Sequence, residues 1–251
     1  MLTGVFITAR LGSSRLKQKH LIKANGFTFL EWLIKRMEFE FSSELLAGNV
    51  HIFIVTSDLE ENRQFEVFSN NYVQIFYGAD DNIPLRHLQC AKANGVDNIL
   101  SIDGDDILCS PAAARLVFES LSITNNVLAK TSGLSLGMNV FGYKTSYLEE
   151  VIQGLENSTL ETGWGRIFDM KKADDLLLVS PIGYEKLRMT LDYDKDAVFF
   201  QKVIESIGNA IIEIDDFALV STVIQNQWND INDELSEEYW NNFKKQQKEE
   251  N

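Results

Sequence analysis

"GVFITARLGSSRLKQKHL", Gly4 to Leu21, opens with a β-branched apolar run and passes straight into a loop carrying Arg10, Arg15, Lys17 and Lys19 around Gly12, Ser13 and Ser14. A second apolar run, His51 to Thr56 ("HIFIVT"), follows after "FLEWLIKRMEFEF", in which Phe29, Leu30, Leu33, Ile34 and Met37 recur at helical spacing. The first unit is therefore strand, helix, strand. The rhythm repeats with a polar helix near Glu60 to Ser69, a strand at Val73 to Phe76, a helix from Leu85 to Ala93, a strand at Asn98 to Ile102 and a helix from Ala112 to Leu121 started by Pro111. Such alternation predicts a mostly parallel sheet covered by helices on both faces. In sheets of this kind ligands collect beyond the carboxyl ends of the strands. The first strand ends at Thr8, so the cationic loop stands where a ligand is expected.

From Asn126 the pattern changes. "NVLAKT", "MNVFGYK", "LLLVSP" and "LRMTL" read as strands with less regular helices between them, which predicts a mixed sheet in the second half. "KDAVFFQKVIESI" reads as an amphipathic helix, and Asp215 or Asp216 caps another that runs through Ile224. The last stretch, "NDELSEEYWNNFKKQQKEEN", is acidic and then basic, the polarity that suits a helix dipole. Leu235, Tyr239, Trp240 and Phe243 share one of its faces, which packs on its own domain or forms a homodimer contact.

Composition narrows the function. At 251 residues and 45% hydrophobic the chain can bury a full core. It has no apolar run of eighteen residues, and "MLTGVFITAR" lacks a signal peptide's basic start and cleavage site, so a cytoplasmic protein with no membrane partner is expected. Cys90 and Cys109 have no zinc spacing and read as packing residues. A net charge of -14 argues against sequence-independent binding to nucleic acid, whose affinity rests on cations that neutralise phosphates. A small phosphate ligand needs only a local cluster. Gly12, Ser13 and Ser14 let the backbone turn its N–H groups toward an anion, while two arginines and a lysine supply forked and point-like partners. Neither GxxxxGK[ST] nor GxGxxG is present, so this is a different phosphate loop from those two.

"ITARLGSSRLKQKHL" resembles the opening motif of the cytidylyltransferases that activate sugar acids and related acceptors, A-R-x-G-S-x-R-L-P-G-K-x-L. The likeness is greatest to the branch named for the spore coat polysaccharide biosynthesis protein SpsF. "FYGADDNIPLRHLQCA" is similar to that branch's F-x-G-x-x-D-D-V-L-x-R-Y, "SIDGDDILCSP" to its T-G-D-C-P-L-I-D-P, and "LRMTLDYDKDAVFF" to its L-R-L-T-V-D-Y-P-E-D-L. These matches run in order from about residue 4 to 200. The resemblance implies a Rossmann-like three-layer α/β/α nucleotidyltransferase fold, related to GT-A glycosyltransferases, with a mixed, mostly parallel sheet. It implies one domain over 1–251, with a nucleotide-binding half to about 125, an acceptor-binding half from about 126 to 230 and a helical tail.

The activity it implies is transfer of a nucleotidyl group from CTP to a sugar acid, sugar phosphate or similar small acceptor, with pyrophosphate released, for a surface polysaccharide. Carried over by position, Arg10, Arg15, Lys19 and Asp105 are catalytic. Ala9, Gly12, Ser13, Asp80, Arg86 and Asp103 join Arg10, Arg15 and Lys19 around the nucleotide, Asp105 and Asp192 hold Mg2+, and Asn139 and Glu161 meet the acceptor.

Physical chemistry supports the metal independently. "IDGDD" places Asp103, Asp105 and Asp106 straight after the fourth strand, and "LDYDKD" places Asp192, Asp194 and Asp196 after a late one. Hard oxygen ligands suit magnesium, which shares its sites among water, one or two carboxylates and substrate phosphates. Asp194 and Asp196 read rather as caps of the helix at Ala197, which leaves Asp192 as the ligand. His20, His51 and His87 form no nucleophilic constellation, and His20 reads as packed or exposed rather than facing a pocket. Arg86 reads as an ion-pair partner or a nucleotide contact.

The sequence also departs from the pattern. Lys17-Gln18 replaces Pro-Gly, Ile107 replaces a proline and Ser101 an arginine; Asn139 stands where relatives commonly carry Glu, and "ETGWGRIF" replaces R-E-H-V-T-P-Y. Two other functions fit parts of the text: a glycosyltransferase using Asp103-Gly104-Asp105 as a D-x-D metal motif, and a non-catalytic nucleotide-binding relative.

Overall fold

The computed structural model describes residues 1–13 and 15–250, so Ser14 of the cationic loop lies outside the described residues. After β1 (Thr3–Thr8) a short hairpin, β2 (Lys23–Ala24) and β3 (Phe27–Thr28), leads into α1 (Phe29–Glu40). The Thr28 hydroxyl accepts from the Glu31 N–H at 3.2 Å, and the Glu31 carboxylate accepts from the Thr28 N–H at 2.6 Å. This reciprocal capping fixes where α1 begins. There follow α2 (Ser42–Leu46), β4 (Val50–Ser57), β5 (Val73–Gly78), α3 (Ile83–Asn94), β6 (Asn98–Asp103) and α4 (Pro111–Ser122). The second half supplies β7 (Leu128–Ser132), β8 (Phe141–Lys144), α5 (Thr145–Val151), β9 (Ala173–Leu177), α6 (Asp194–Ile207), α7 (Asp216–Gln225) and α8 (Leu235–Glu249).

One seven-stranded sheet takes strands from both halves, in the order β5-β4-β1-β6-β8-β7-β9. β5, β4, β1 and β6 are parallel, β8 runs against both of its neighbours, and β9 is parallel to β7. The sheet is thus mixed and mostly parallel. Val5 lies in register with Ile52 and Leu100, and successive residues alternate between faces. Val5, Ile7, Ile52 and Ile54 pack in one core with Leu33 and Met37 of α1, Val117 of α4 and Phe200 of α6. Phe6, Phe53, Val55 and Ile99 pack in a second core with Ala91 of α3, Leu148 of α5 and the rings of Trp164 and Phe168. Each such side chain contributes about 1.5–3 kcal/mol by leaving water, so the two faces fix three layers and hold the strand ends in place.

Three elements differ from the sequence expectation. The polar helix near Glu60 is a 3-10 helix over Glu60–Phe68, because its buried aromatics, Phe65 and Phe68, are three apart and a three-residue turn aligns them. "LLLVSP" gives way to β9, whose Asp174 and Asp175 are accommodated at the sheet edge by Ser120 (2.9 Å) and Ser132 (2.7 Å). "LRMTL" is not a strand of the sheet: it lies across the strand ends, tied by Met189 N to Leu136 O at 2.8 Å and Leu191 N to Asp105 O at 2.9 Å. Met189 and Leu191 enter the core while Thr190 and Asp192 face a cleft, so the alternation of a strand is kept without its ladder.

Candidate active site

Thr8 and Asp103 end β1 and β6 in register, and they stand at the floor of a cleft of about 720 Å3. The loop after β1 forms one lip. Its backbone is held by Asn62, whose Oδ1 accepts from the Leu11 N–H at 2.9 Å while its Nδ2 donates to Ser57 O and Oγ at 3.1 and 2.9 Å. Asn62 went unnoticed in the sequence because a buried asparagine in a polar stretch carries no pattern of its own.

Lys19 is buried, and its Nζ lies 2.5 Å from Asp105 Oδ2 and 3.5 Å from Asp192 Oδ1. Arg15 Nη2 reaches the same Asp192 oxygen at 2.7 Å, and Arg188 Nη2 reaches Asp192 Oδ2 at 2.8 Å. Burial pushes the Asp192 carboxyl up, but the fields of Lys19, Arg15 and Arg188 together outweigh it and hold the group below its ordinary value. Arg188 is fixed from behind by Asp196, which accepts from Arg188 Nε and Nη2 at 3.1 Å, from the Asp192 and Tyr193 N–H groups at 2.9 and 3.0 Å, and from Asn232 Nδ2 at 2.8 Å. Asp196 is therefore the N-terminal acceptor of α6 and the anchor of the buried guanidinium at once. Asp194 begins α6 itself.

His20 is packed, as expected, yet its Nε2 also lies 3.5 Å from Asp105 Oδ1 in the cleft wall. Burial lowers its pKa to about 4, so the ring is neutral at pH 7. Water reaches the Asp103 side chain, but the protein surrounding it, and next the charge of Asp105, raise that carboxyl to about 6. Behind the floor, Thr8 Oγ1 lies 2.7 Å from His87 Nε2, and His87 Nδ1 lies 2.6 Å from the Tyr143 hydroxyl.

Arg10, half exposed, pairs with Glu161 across the cleft. Glu161 is delivered by a loop that Asn82 holds, through 2.9 Å bonds from Nδ2 to Leu155 O and Ser158 O. The carboxylate of Glu250, beyond the end of α8, accepts from the Thr162 N–H at 2.8 Å and the Glu161 N–H at 3.3 Å. Tyr239 of α8 lies with its ring centroid 4.3 Å from the Arg188 guanidinium, so Tyr239 packs on its own chain and walls the cleft with Phe243 and Gln246, while Trp240 on the same face stays exposed.

Ala9, Ser13, Arg86, Asp103 and Glu161 thus join Arg10, Arg15, Lys19, Asp105 and Asp192 around one cavity. Arg86 is chiefly a brace: its Nε donates to Ala79 O at 2.6 Å and its Nη2 to the Asp80 carbonyl. Gly12 and Asp80 stand back from the wall, and Gly12 faces Glu61, whose carboxylate would meet a Cβ there at 2.6 Å. Asn139 lines a smaller adjoining cavity. No group of three or more His, Cys, Asp or Glu suited to a metal occurs among the described residues. Asp105 and Asp192 nevertheless converge on one ammonium, an arrangement that suits a divalent ion taking its other ligands from water and phosphate.

Strand order and layers define a Rossmann-like α/β fold with a mixed, mostly parallel sheet. Cytidylyltransferases share it: the chain is similar in structure to a cytidylyltransferase from Leptospira borgpetersenii serovar Hardjo-bovis, with a TM-score of 0.76 and 20% identity over 91% of this chain and 96% of that one. It is also similar to a CMP:2-keto-3-deoxy-manno-octonic acid synthetase complexed with CTP, with a TM-score of 0.55 and 12% identity over 82% of this chain and 99% of that one. In sequence it is 27% identical over 227 residues to the uncharacterized protein MJ1063 of Methanocaldococcus jannaschii, covering 88% of this chain and 91% of that protein. No protein-family profile matches the chain. No helix among the described residues is long and apolar enough to cross a membrane.

Proposed function

We propose that the chain is a magnesium-dependent cytidylyltransferase that joins the nucleotidyl group of CTP to a small sugar-derived acceptor and releases pyrophosphate, acting in the cytoplasm toward a surface polysaccharide. The observation that carries the reading is the set of three loop cations, Arg10, Arg15 and Lys19, facing the paired carboxylates Asp105 and Asp192 in one cleft. The fold shared with cytidylyltransferases and the order of the sequence motifs support the choice of nucleotide.

In this reading the triphosphate lies along the loop, and Arg15 and Lys19 exchange the carboxylates they now hold for phosphate oxygens. Asp105 and Asp192 would hold the magnesium ion, which supplies neutralising charge to the phosphates. An acceptor oxygen attacks the α-phosphorus in line while the bond to the bridging oxygen of pyrophosphate breaks. Charge grows on that oxygen, and fixed cations placed to meet it lower the barrier without a covalent nucleophile. Arg188 and Asp196 keep Asp192 in place during the exchange.

Calorimetric titration tests this. CTP with magnesium binds the wild type, and Arg15→Ala weakens that binding roughly ten- to a hundred-fold, the range of a lost charge-assisted bond. Absence of CTP binding with or without magnesium overturns the reading.

A further inference from the structure

A second cavity of about 190 Å3 adjoins the main cleft and shares Asp103 and Trp164 with it as a common wall. Ser101, Asp106, Lys130 and Asn139 complete most of its lining. The one ammonium of this lining, Lys130 Nζ, is already held by Asp175 Oδ2 at 3.0 Å. The Asp103 carboxylate has no hydrogen-bond or ion-pair partner among the described residues, so its oxygens are open acceptors between the two cavities. Asn139 is fixed, donating through Nδ2 to Leu134 O at 3.1 Å. The rings of Phe141 and Trp164, with centroids 6.2 Å apart, give the cavity an apolar face.

Open carboxylate oxygens beside aromatic faces suit a molecule that donates several hydroxyl protons and lays a C–H face on a ring. An acceptor with its own carboxylate or phosphate would instead bring negative charge beside the unpartnered Asp103 carboxylate, where the one ammonium of the lining is already engaged by Asp175. Ser101 and Asn139, both neutral, face this cavity as well.

We propose that this side cavity is the acceptor subsite and that it takes a neutral, hydroxyl-rich molecule the size of one sugar ring, in preference to sugar acids or sugar phosphates. The inference rests on the nucleotidyl-transfer reading for its chemistry. The acceptor hydroxyl oxygen, presented at the common wall, forms the new bond to the α-phosphorus. The bond to the bridging oxygen breaks, pyrophosphate leaves with that electron pair, and the hydroxyl proton passes to solvent.

The test begins without nucleotide. Saturation-transfer NMR is run on the full chain with a panel of aldohexoses and hexitols, their matched uronic and aldonic acids, and their 6-phosphates. At least one neutral compound should bind tenfold or more tightly than its charged counterparts. Ser101→Arg, or Asn139→Lys should the first fail to fold by its melting curve, should narrow or reverse that preference. Equal or tighter binding of the charged members, no binding by any member, or a preference unmoved by both variants overturns the proposal. Pyrophosphate release with CTP and magnesium is then measured separately. Neutral binding without CTP binding sinks the nucleotidyl-transfer reading and leaves the subsite standing, whereas CTP-dependent release with acids alone sinks the subsite and leaves the transfer.

Discussion

Lys19 and Arg188 do different work on the same carboxylate. Lys19 sits between Asp105 and Asp192 and, on the proposed reading, leaves them for a phosphate, whereas Arg188 is enclosed between Asp192 and Asp196. Removing one partner from a buried ionic group leaves uncompensated charge, so Arg188→Ala should cost about 3–5 kcal/mol in chemical denaturation. Arg188→Lys should recover only part of this, since one ammonium cannot match the fork that spans two carboxylates. His87 sets a pH dependence. Burial first, and then the charge of Arg86, lower its pKa from 6.5 to about 3, so the unfolded chain takes up a proton that the folded chain refuses. The stability associated with neutral His87 is complete above 6.5 and is lost as pH falls from there toward 3. In denaturation curves taken between pH 7 and 4, His87→Gln should show a shallower fall than the wild type, by up to one proton's worth of slope.

At the scale of elements, the sequence showed most where hydrophobic period and charge coincide. β1, α1 and β4 were legible from apolar spacing, and the loop after β1 was legible because four cations in an acidic chain stand out. The supports of that loop and of the one bearing Glu161 were not, since Asn62 and Asn82 act through a few side-chain hydrogen bonds from positions without periodicity. Arg188, Asp192 and Asp196 do recur every four residues, but one arginine followed by acidic residues reads as an ordinary helix start until the backbone bends across the strand ends. The 3-10 segment at Glu60–Phe68 buttresses the loop through Asn62. Asn62→Ala leaves the Leu11 N–H without its partner, which should cost roughly 1–3 kcal/mol of stability. Because the loop then loses its fixed course, CTP affinity should also fall several-fold; a titration in which stability falls but affinity holds would show that the loop is set by other contacts.

Across the whole molecule, the cleft of an acidic protein is arranged so that its cations are already matched from within the chain. Lys19 and Arg15 are held by Asp105 and Asp192, and Arg10 pairs across the cleft with Glu161, 151 residues away in sequence. No local motif foretells such long-range pairings, which is why the residues that line the cleft were legible one by one and their pairing was not. On the proposed reading, a nucleotide must therefore displace carboxylates to bind. Glu161 is the partner easiest to remove, because Arg10 is half exposed and a surface pair of this kind contributes little to folding. Glu161→Gln should leave the melting temperature nearly unchanged. It should tighten CTP binding several-fold, since Arg10 would then meet the triphosphate without giving up a salt bridge and one negative charge would be gone from the approach to the cleft. Weaker binding of CTP by this variant, measured at the same ionic strength, would mean that Glu161 orients Arg10 toward the phosphates rather than competing with them.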